Sequence, residues 1–439
     1  MASTGTDKQT ILIVAHGHPE ASAGGGESAA YAAFKELARR PEIDAYFLAR
    51  AEAASGHGGT PFSVHNGSHE IVWHSEMADY FLFSQPNKHI VWSAFRDFLR
   101  NLQPDVVHFH HYLHLGIELL REVKRVNPDT RLVVTLHDYW ALCHNNGQMV
   151  KTGSFELCNR SHPDACHRCF PQYAPTDFFL RELFVKSYFE LVDLFISPSE
   201  FLRQRYIGWG LPEDRIVMLE NGQEPIEPPP QRELRRHDRR ARFGFFGQVN
   251  PYKGVHILLD AVEKLPLKTR RRFRLDLHGA NLENQEEEFA QGIHEQLEAC
   301  GGAVRFFGPY RPEELHGLMA RIDWVIVPST WWENSPLVIQ EAFKFRRPVI
   351  CSDIGGMAEK VTPGVNGLHF RAGNALDLAD RIEEAVETPG LWEQLRSQIE
   401  PPATIAETVD RLLATYEGAG SSAGSAEGPS GPDPSQRVG

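Results

Sequence analysis

Residues 324–343 read WVIVPSTWWENSPLVIQEAF, and this stretch carries the strongest structural and chemical signals in the chain. The apolar run Trp324–Val327 predicts a buried strand, and a polar loop follows it. Ser335 and Pro336 are typical of a helix start, with Ser as the N-cap and Pro at the first helical position. The free amides of that helix would lie at the carboxyl edge of a parallel sheet, where the positive helix end binds a phosphate.

Two carboxylates flank the predicted helix start. Glu333 lies in the loop, and Glu341 lies just over one turn into the helix. Carboxylates beside a phosphate repel it unless each accepts hydrogen bonds from hydroxyl groups, which a sugar and a ribose would supply. This pair therefore predicts a nucleotide sugar as the ligand. The alternative is a capped surface helix with two ordinary solvated glutamates.

The same order of a short β-branched run, a polar turn and a helix-period segment recurs in both halves of the chain. This alternation predicts parallel, doubly wound α/β sheets whose ligands bind at the carboxyl ends of the strands, so a cleft between two domains is expected. Strands are predicted at Ile11–Ala15, Ile43–Leu48, Val106–Phe109, Leu132–Leu136, Leu194–Ser197, Ile216–Leu219, Arg242–Phe246, Arg274–His278, Val304–Phe307, Trp324–Val327, Val349–Ser352 and Leu368–Phe370. Helices are predicted at Glu27–Arg39, Val91–Leu102, Leu115–Val126, Ser199–Ile207, Gly254–Lys264, Glu313–Arg321, Pro336–Phe345 and Ala375–Glu387.

Composition and charge exclude several classes of protein. The chain has 439 residues, of which 41% are hydrophobic and 23% are charged, and domains of about 150 residues are common. A net charge of −13 repels nucleic acid, and no run of about 18 apolar residues could span a membrane. The start of the chain lacks the apolar core of a signal peptide. We therefore expect a cytoplasmic protein without a nucleic-acid partner.

The segment from Glu333 to Glu341 resembles the Glu-x7-Glu motif of the retaining family 4 glycosyltransferases, which have the two-domain GT-B fold. The resemblance extends over an ordered series of motifs from about Ile11 to Leu413. Together with the proline-rich segment after Glu224 and the small, polar composition after Glu417, it predicts the following domain division: residues 1–9 disordered, 10–223 an acceptor-side Rossmann-like domain with a Cys-rich insertion at 143–169, 224–240 a linker, 241–390 a nucleotide-sugar-binding Rossmann-like domain, 391–416 helices that cross back to the first domain, and 417–439 a disordered tail.

The resemblance also implies a donor site. In that family the residue matching Glu333 contacts the sugar hydroxyls, the residue matching Glu341 holds the ribose diol, and the lysine matching Lys253 neutralises the diphosphate as the leaving group forms. Gln248 stands where the family most often has Arg, which weakens one phosphate contact. Gly355 and Gly356 would either allow close approach of the donor or serve a tight turn. The remaining donor-site residues implied are Gly25, Gly26, Tyr310, Asn334, Ser335, Pro336, Leu337 and Val338.

Histidines at strand ends predict the acceptor side of the cleft. His108 and His110 alternate along one strand and so lie on the same side of its sheet, and His110 matches a family residue near the reacting carbon. His137 and Asp138 follow the next strand, where they would line the acceptor cleft. The alternatives are a structural histidine and a hydrogen-bonded turn aspartate.

The resemblance implies transfer of a hexose-type sugar from a UDP or GDP donor to a hydroxyl acceptor with retention, with the donor phosphate as base. His110, Glu333 and Lys253 would be the catalytic residues, and no metal or other cofactor is required for that step. The acceptor would be a glycan, a lipid-linked molecule or a small molecule. Alternatives are an epimerase or phosphorylase on the same fold, or a non-catalytic nucleotide-sugar-binding subunit.

Two further features suggest additional partners. Cys143, Cys158, Cys166 and Cys169 include a Cys-x2-Cys pair, which is compatible with a structural zinc site; disulfides and free thiols are the alternatives. Peripheral membrane contact is compatible with an exposed basic and aromatic patch on the segment 91–102, although a core-facing helix fits the same pattern. The residues of that patch are Trp92, Phe95, Arg96, Phe98 and Arg100.

Overall fold

The computed structural model describes residues 8–21, 24–52, 60–236 and 238–418. Most of the two predicted disordered ends lies outside these residues. The first strand begins at Gln9, which belongs to a strand rather than to the disordered segment that the sequence predicted. Among the described residues no helix is both long enough and apolar enough to cross a membrane. A cytoplasmic location stays a prediction.

The first domain is built on an eight-stranded sheet. Its order is β3-β4-β2-β1-β5-β6-β7-β8, with parallel pairing throughout except for the antiparallel hairpin of β3 and β4 at one edge. The direction of the strand order changes at β1, which lies between β2 and β5. The strands are β1 (Gln9–Ala15), β2 (Ile43–Glu52), β3 (Phe62–Val64), β4 (Glu70–Ser75), β5 (Val106–Phe109), β6 (Arg131–Thr135), β7 (Leu194–Ser197) and β8 (Ile216–Met218).

Helices lie on both faces of this sheet, and several of them pack on it through an apolar stripe. One helix, for example, buries Val91, Phe95 and Leu99, which are spaced by four residues and so share one face. The six helices of this domain are α1 (Gly25–Leu37), α2 (Lys88–Leu102), α3 (Leu119–Val126), α4 (Pro163–Cys169), α5 (Pro175–Phe189) and α6 (Glu200–Trp209).

The second domain contains a six-stranded parallel sheet. Its order is β11-β10-β9-β12-β13-β14, so the strand order changes direction between β9 and β12. The strands are β9 (Arg242–Gln248), β10 (Arg274–Ala280), β11 (Val304–Gly308), β12 (Trp324–Val327), β13 (Val349–Ser352) and β14 (Gly367–Phe370). The helices are α7 (Val255–Lys264), α8 (Leu267–Arg272), α9 (Glu287–Cys300), α10 (Leu315–Arg321), α11 (Leu337–Lys344), α12 (Gly355–Lys360), α13 (Ala375–Glu387), α14 (Leu391–Gln398) and α15 (Ile405–Tyr416).

The chain returns to the first domain at its end. Gln223, where the chain leaves the first domain, pairs with Thr404 in a parallel bridge. The amide of Gln223 donates to the carbonyl of Ala403 at 2.9 Å, and the amide of Ile405 donates to the carbonyl of Gln223 at 3.0 Å. Helix α15 then packs on α1, and its Ile405, Val409, Leu412 and Tyr416 join a core cluster of the first domain.

The strands match the sequence predictions closely, but several helices and one hairpin were not predicted. The unpredicted elements include β3, β4, α5 and α9. In α5 the apolar residues Phe179, Leu180 and Leu183 are about half exposed, so the apolar positions do not form a single stripe. In α9 only Ile293 and Cys300 are buried. The periodicity on which a prediction depends is therefore weak in both helices.

Candidate active site

The loops that follow β9 and β12 meet at the point where the strand order reverses. The side chain of Asn250 accepts a hydrogen bond from the amide of Lys253 at 3.0 Å and caps a 3-10 turn, Pro251–Lys253. Gly254 follows with φ of 69°, and a Cβ there would lie 2.0 Å from the carbonyl oxygen of Pro328. Because only glycine fits, the two loops touch and Lys253 is held beside the loop after β12.

Glu333 accepts three hydrogen bonds on one carboxylate oxygen. Its Oε1 accepts from Lys253 Nζ at 2.5 Å, from Ser329 Oγ at 2.7 Å and from Trp331 Nε1 at 3.0 Å. The residue is only 6% exposed. The structure therefore brings together Lys253 and Glu333, two residues that lie 80 positions apart in the sequence.

The helix after this loop begins one residue later than the sequence predicted. Pro336 is the N-cap and Leu337 is the first helical residue of α11, so the prediction of Ser335 as N-cap and Pro336 as first helical residue was wrong. Ser335 Oγ is buried and has no partner among the described residues. Proline has no side-chain acceptor to cap the helix, and within the described chain the amides of Leu337 and Val338 have no acceptor. The open helix end that was predicted is present.

Glu341 lies one turn further along α11. Burial raises the pKa of its carboxyl to about 7, and nearby Lys344 only partly offsets this effect. Tyr310 is close to it: burial, with the nearby Glu341 carboxylate, raises the pKa of the Tyr310 phenol above its usual value. No hydrogen bond to the Glu341 carboxylate is formed within the described part of the chain. This partly exposed carboxyl can accept hydrogen bonds from the hydroxyl groups of a ligand.

Gly355 and Gly356 hold the Glu333 loop in place. The amide of Gly356 donates to the carbonyl of Glu333 at 2.7 Å. A Cβ at Gly356 would lie 1.6 Å from the carbonyl oxygen of Asn334, and one at Gly355 would lie 2.9 Å from the carbonyl oxygen of Glu333. The close approach that these glycines permit is therefore to the loop backbone.

The histidines of the first domain form a buried chain. His108 uses both ring nitrogens, on Tyr416 and Thr135, each at 2.7 Å, and burial lowers its pKa to about 3. His110 Nδ1 lies 3.0 Å from His137 Nε2. The His110 Nε2 is buried without a partner among the described residues, and burial lowers the pKa of this ring well below its usual value. His108 is thus structural, whereas His110 is a neutral imidazole with one nitrogen available.

Asp138 forms a hydrogen-bonded turn. Its two oxygens accept from His111 Nε2 at 2.8 Å and from the amide of Trp140 at 2.9 Å. Burial opposes the charged form, but His111 and these hydrogen bonds outweigh it and lower the pKa of Asp138 below its usual value. His137, in contrast, has its pKa lowered by burial to about 4.

The glycine-rich segment of the first domain reaches the helix end of the second. A Cβ added to Gly25 would lie 3.2 Å from Leu337 Cδ1, and one added to Gly26 would lie 3.4 Å from the ring of His137. The structure therefore places Gly25 against the second domain at the candidate donor site, and Gly26 beside His137 of its own domain. Gln248 is exposed, and its side chain accepts from Asn250 Nδ2 at 3.4 Å.

Asn334 bridges the two domains, a role that sequence reasoning missed. Its Nδ2 donates to the carbonyl of His137 at 3.1 Å, and its Oδ1 accepts from Ser199 Oγ at 2.5 Å. Ser199 also caps α6 by accepting from the amide of Leu202 at 3.2 Å. Asn334 is thus hydrogen-bonded to residues that follow two strands of the opposite domain. The turn chemistry at Ser199 was the only sequence signal.

A second set of contacts between the domains was also missed. The carboxylate of Glu220, just after β8, accepts from Gln340 and from Lys360, which is only 9% exposed. Burial lowers the pKa of Lys360 to about 7. The carboxylate of Glu359 accepts from the amides of Glu200 and Phe201 at 2.9 and 2.8 Å, at the positive end of α6. These contacts link the second domain to the first.

The Cys-rich insertion lies beside the site. All four cysteines are free and line one cavity. Burial raises the pKa of the Cys143 thiol to about 11. Among the described residues one group of three metal-ligating atoms lies within 4.8 Å of one another, and it consists of His18, Glu20 and His65 rather than of cysteines. The zinc interpretation stays a prediction.

The suggested membrane patch on α2 faces inward. Phe95 is fully buried, Trp92 and Phe98 pack against the core, and Arg96 pairs with Glu122 at 2.9 Å. The structure therefore agrees with the alternative interpretation of this segment, a helix that faces the core.

Comparison with known proteins agrees with the two-domain architecture. Residues 230–401 match the family described as glycosyl transferases group 1, and residues 23–225 match glycosyltransferase family 4. The chain belongs to the GT-B glycosyltransferases. The GT-B fold predicted from the sequence is thereby confirmed.

Individual relatives of this GT-B protein are distant. The lipopolysaccharide 1,2-N-acetylglucosaminetransferase of Salmonella typhimurium is 28% identical over 184 residues, which cover 40% of this chain and 48% of that protein. The D-inositol 3-phosphate glycosyltransferase of Corynebacterium aurimucosum is 30% identical over 145 residues, which cover 33% of this chain and 34% of that protein. The chain thus spans less than half the length of these two curated relatives. A crystal structure of HepE from Anabaena with UDP and glucose has a TM-score of 0.63 at 18% identity, covering 93% of this chain and 100% of that one.

Proposed function

We propose that this GT-B protein is a retaining glycosyltransferase that moves a hexose-type sugar from a UDP or GDP donor to a hydroxyl acceptor. The observation that carries the proposal is the contact of 2.5 Å between Lys253 and Glu333 beside the open amino end of α11. A cation, free amides and a positive helix end converge there, as a diphosphate requires.

The two ends of the donor would be recognised by the two glutamates. Glu333 is a buried carboxylate whose Oε2 accepts no hydrogen bond within the described part of the chain, so this oxygen is available to the sugar hydroxyls. The Glu341 carboxylate would accept hydrogen bonds from the ribose diol, and Tyr310 lies near Glu341. The diphosphate would lie between them, on the amides of Leu337 and Val338 and the ammonium of Lys253.

In the proposed reaction the acceptor oxygen bonds to the anomeric carbon as the bond from that carbon to the diphosphate breaks. The acceptor proton passes to the departing diphosphate on the same face, so the configuration is retained. Lys253 stabilises the charge that develops on the leaving group. His110 is neutral, because burial lowers its pKa well below the usual value, so it orients a hydroxyl group by hydrogen bonding.

The known proteins suggest which donor to test first. One relative is a transferase of N-acetylglucosamine, and the HepE structure contains UDP and glucose. UDP-glucose and UDP-N-acetylglucosamine are therefore the first two donors, followed by the corresponding GDP sugars. Glycans, lipid-linked sugars and small polyols form the acceptor panel.

The test measures nucleoside diphosphate release with and without acceptor, and the anomeric configuration of the product by NMR. Glu333→Gln and Lys253→Met should each lower kcat/KM by about 10² to 10³. The matched control is Lys264→Met, because Lys264 lies at the exposed end of α7 and, among the residues that the structure describes, pairs with Asp260 alone. Activity equal to that of the control, or a product with inverted configuration, would refute the proposal. Release of diphosphate only in the presence of acceptor would exclude an epimerase.

A further inference from the structure

The Cys-rich insertion lacks the regular structure that holds the rest of its domain together. Between β6 and α5 the backbone forms α4, only seven residues long, and one antiparallel bridge between Val150 and Leu157. Asn146, Met149 and Phe155 have positive φ, as do two glycines of this segment. Within residues 143–169 the buried apolar side chains are those of Met149 and Val150, so a disulfide or a metal would add to the stability of this segment.

The four cysteines of the insertion converge on one cavity. Cys143 follows the Asp138 turn, Cys158 follows the bridge, and Cys166 and Cys169 lie on α4, one turn apart. All four line the same cavity and none forms a disulfide. His144 lines this cavity too, and its Nδ1 is buried without a partner among the described residues. Sulfur and nitrogen atoms that can bind a soft metal cation thus surround this cavity.

The sulfur atoms do not yet lie at ligation distance, since no three of them are within 4.8 Å of one another. A change of χ1 rotamer moves a cysteine sulfur without moving its backbone. Four-coordinate tetrahedral geometry, with two ligands from a Cys-x2-Cys pair, is the common arrangement of structural zinc. Binding of one metal ion would therefore require these sulfur atoms to move towards one another.

We propose that Cys143, Cys158, Cys166 and Cys169 together bind one structural Zn²⁺. Each thiol loses its proton on binding, so four thiolates surround the cation and the protons pass to solvent. The cation ties α4 to the bridge at Val150 and so fixes the position of the Cys158 backbone.

This site would support the candidate active site from the outside. The carbonyl of Cys158 accepts from Trp332 Nε1 at 3.0 Å. Trp332 precedes Glu333, and its ring packs on Phe201 with the Arg205 guanidinium over both rings. The metal would therefore fix one end of the loop that carries Glu333.

The test measures the metal content of the full-length protein, purified from cells grown with zinc, by inductively coupled plasma mass spectrometry. We expect one zinc per chain, released by a mercurial thiol reagent. After replacement by Co²⁺, a thiolate-to-cobalt charge-transfer band should appear. The double variant C166S/C169S should lose the metal and the band. The matched control C300S, at a cysteine buried in the second domain, should keep both.

Each other outcome overturns the proposal. Absence of metal from the wild-type protein would do so. A protein mass lower than that of the fully reduced chain by two or four hydrogen atoms would also do so, because it indicates one or two disulfides. Zinc that persists in C166S/C169S but is lost in His18→Ala would assign the metal to His18, Glu20 and His65 instead. Since the wild-type metal count and cobalt spectrum need no substitution, a variant that fails to fold leaves the proposal testable.

Discussion

Replacing Gly356 with alanine should displace the loop that carries Glu333. A Cβ at this position would lie 1.6 Å from the carbonyl oxygen of Asn334, and real Cβ contacts do not fall below 3.0 Å. The two backbones must therefore separate by about 1.4 Å. Such a shift lengthens the hydrogen bond of 2.7 Å from the Gly356 amide to the Glu333 carbonyl.

The cost of this displacement follows from the packing. Forcing extra atoms into a packed region costs about 1 to 3 kcal/mol. A misplacement of about 1 Å at a reacting centre can lower a rate about 100-fold. We expect Gly356→Ala to lower the free energy of unfolding by about 1 to 3 kcal/mol. It should also weaken donor binding at least about tenfold, which corresponds to about 1.4 kcal/mol.

Urea denaturation and titration calorimetry with the donor measure the two effects. The matched control is Gly292→Ala, because Gly292 lies in α9 with no atom within 4 Å of an added Cβ. Alanine there should leave donor binding unchanged and stabilise the helix by up to about 1 kcal/mol. If Gly356→Ala matches this control in both measurements, the close contact between the two loops is not present in solution.

Four further predictions concern three residues that link or line the domains. Ser199→Ala should lower the free energy of unfolding by about 1 to 2 kcal/mol, because its hydroxyl caps α6 and donates to Asn334. Donor affinity should rise as the pH passes upward through 7, the value near which burial places the pKa of Glu341, because the ionised carboxylate accepts hydrogen bonds from the two ribose hydroxyls more strongly than the protonated carboxyl does; calorimetry at several pH values measures this. The same raised pKa means that the unliganded protein loses stability as the pH rises from 4.5 through 7. Glu220→Ala should cost about 1 to 3 kcal/mol, since buried Lys360 loses its partner, and should increase the radius of gyration in small-angle scattering.

Each of these predictions has a control and a contrary result. Ser397→Ala removes an exposed hydroxyl that bonds only within its own helix, and equal stability of the two serine variants would contradict the cross-domain role. Glu341→Gln should abolish both pH dependences; a slope that survives this change belongs to another group. Glu227 is exposed and, in the described structure, unpaired, so Glu227→Ala should be neutral. A scattering curve for Glu220→Ala that superposes on that of Glu227→Ala would exclude a role in closing the cleft.

The sequence predicts the sheets well because buried parallel strands read as short continuous runs of branched residues. Val106–Phe109, Leu194–Ser197 and Val349–Ser352 have the same bounds in the prediction and in the structure. The meeting of Lys253 with Glu333 was implied by a family resemblance and explained by topology, since both follow strands at the point where the order reverses.

Features that depend on the relative position of the domains were not predictable. Glu220 and Lys360 are ordinary charged residues until the first domain packs against the second, and Tyr416 contacts His108 only because the chain returns. The predicted start of α11 was one residue too early, because a Ser-Pro pair strongly favours a helix start. In the structure the hydrogen bonds of Asn334 to His137 and Ser199 hold the loop in place up to Asn334. Local propensity was overridden there by tertiary contacts.

The pairing of Gln223 with Thr404 has a consequence for motion. Because the outgoing and returning segments are hydrogen-bonded side by side, the two polypeptide crossings between the domains lie next to each other. A rotation of one domain about these paired segments would leave their hydrogen bonds intact, whereas sliding of one segment past the other would have to break them.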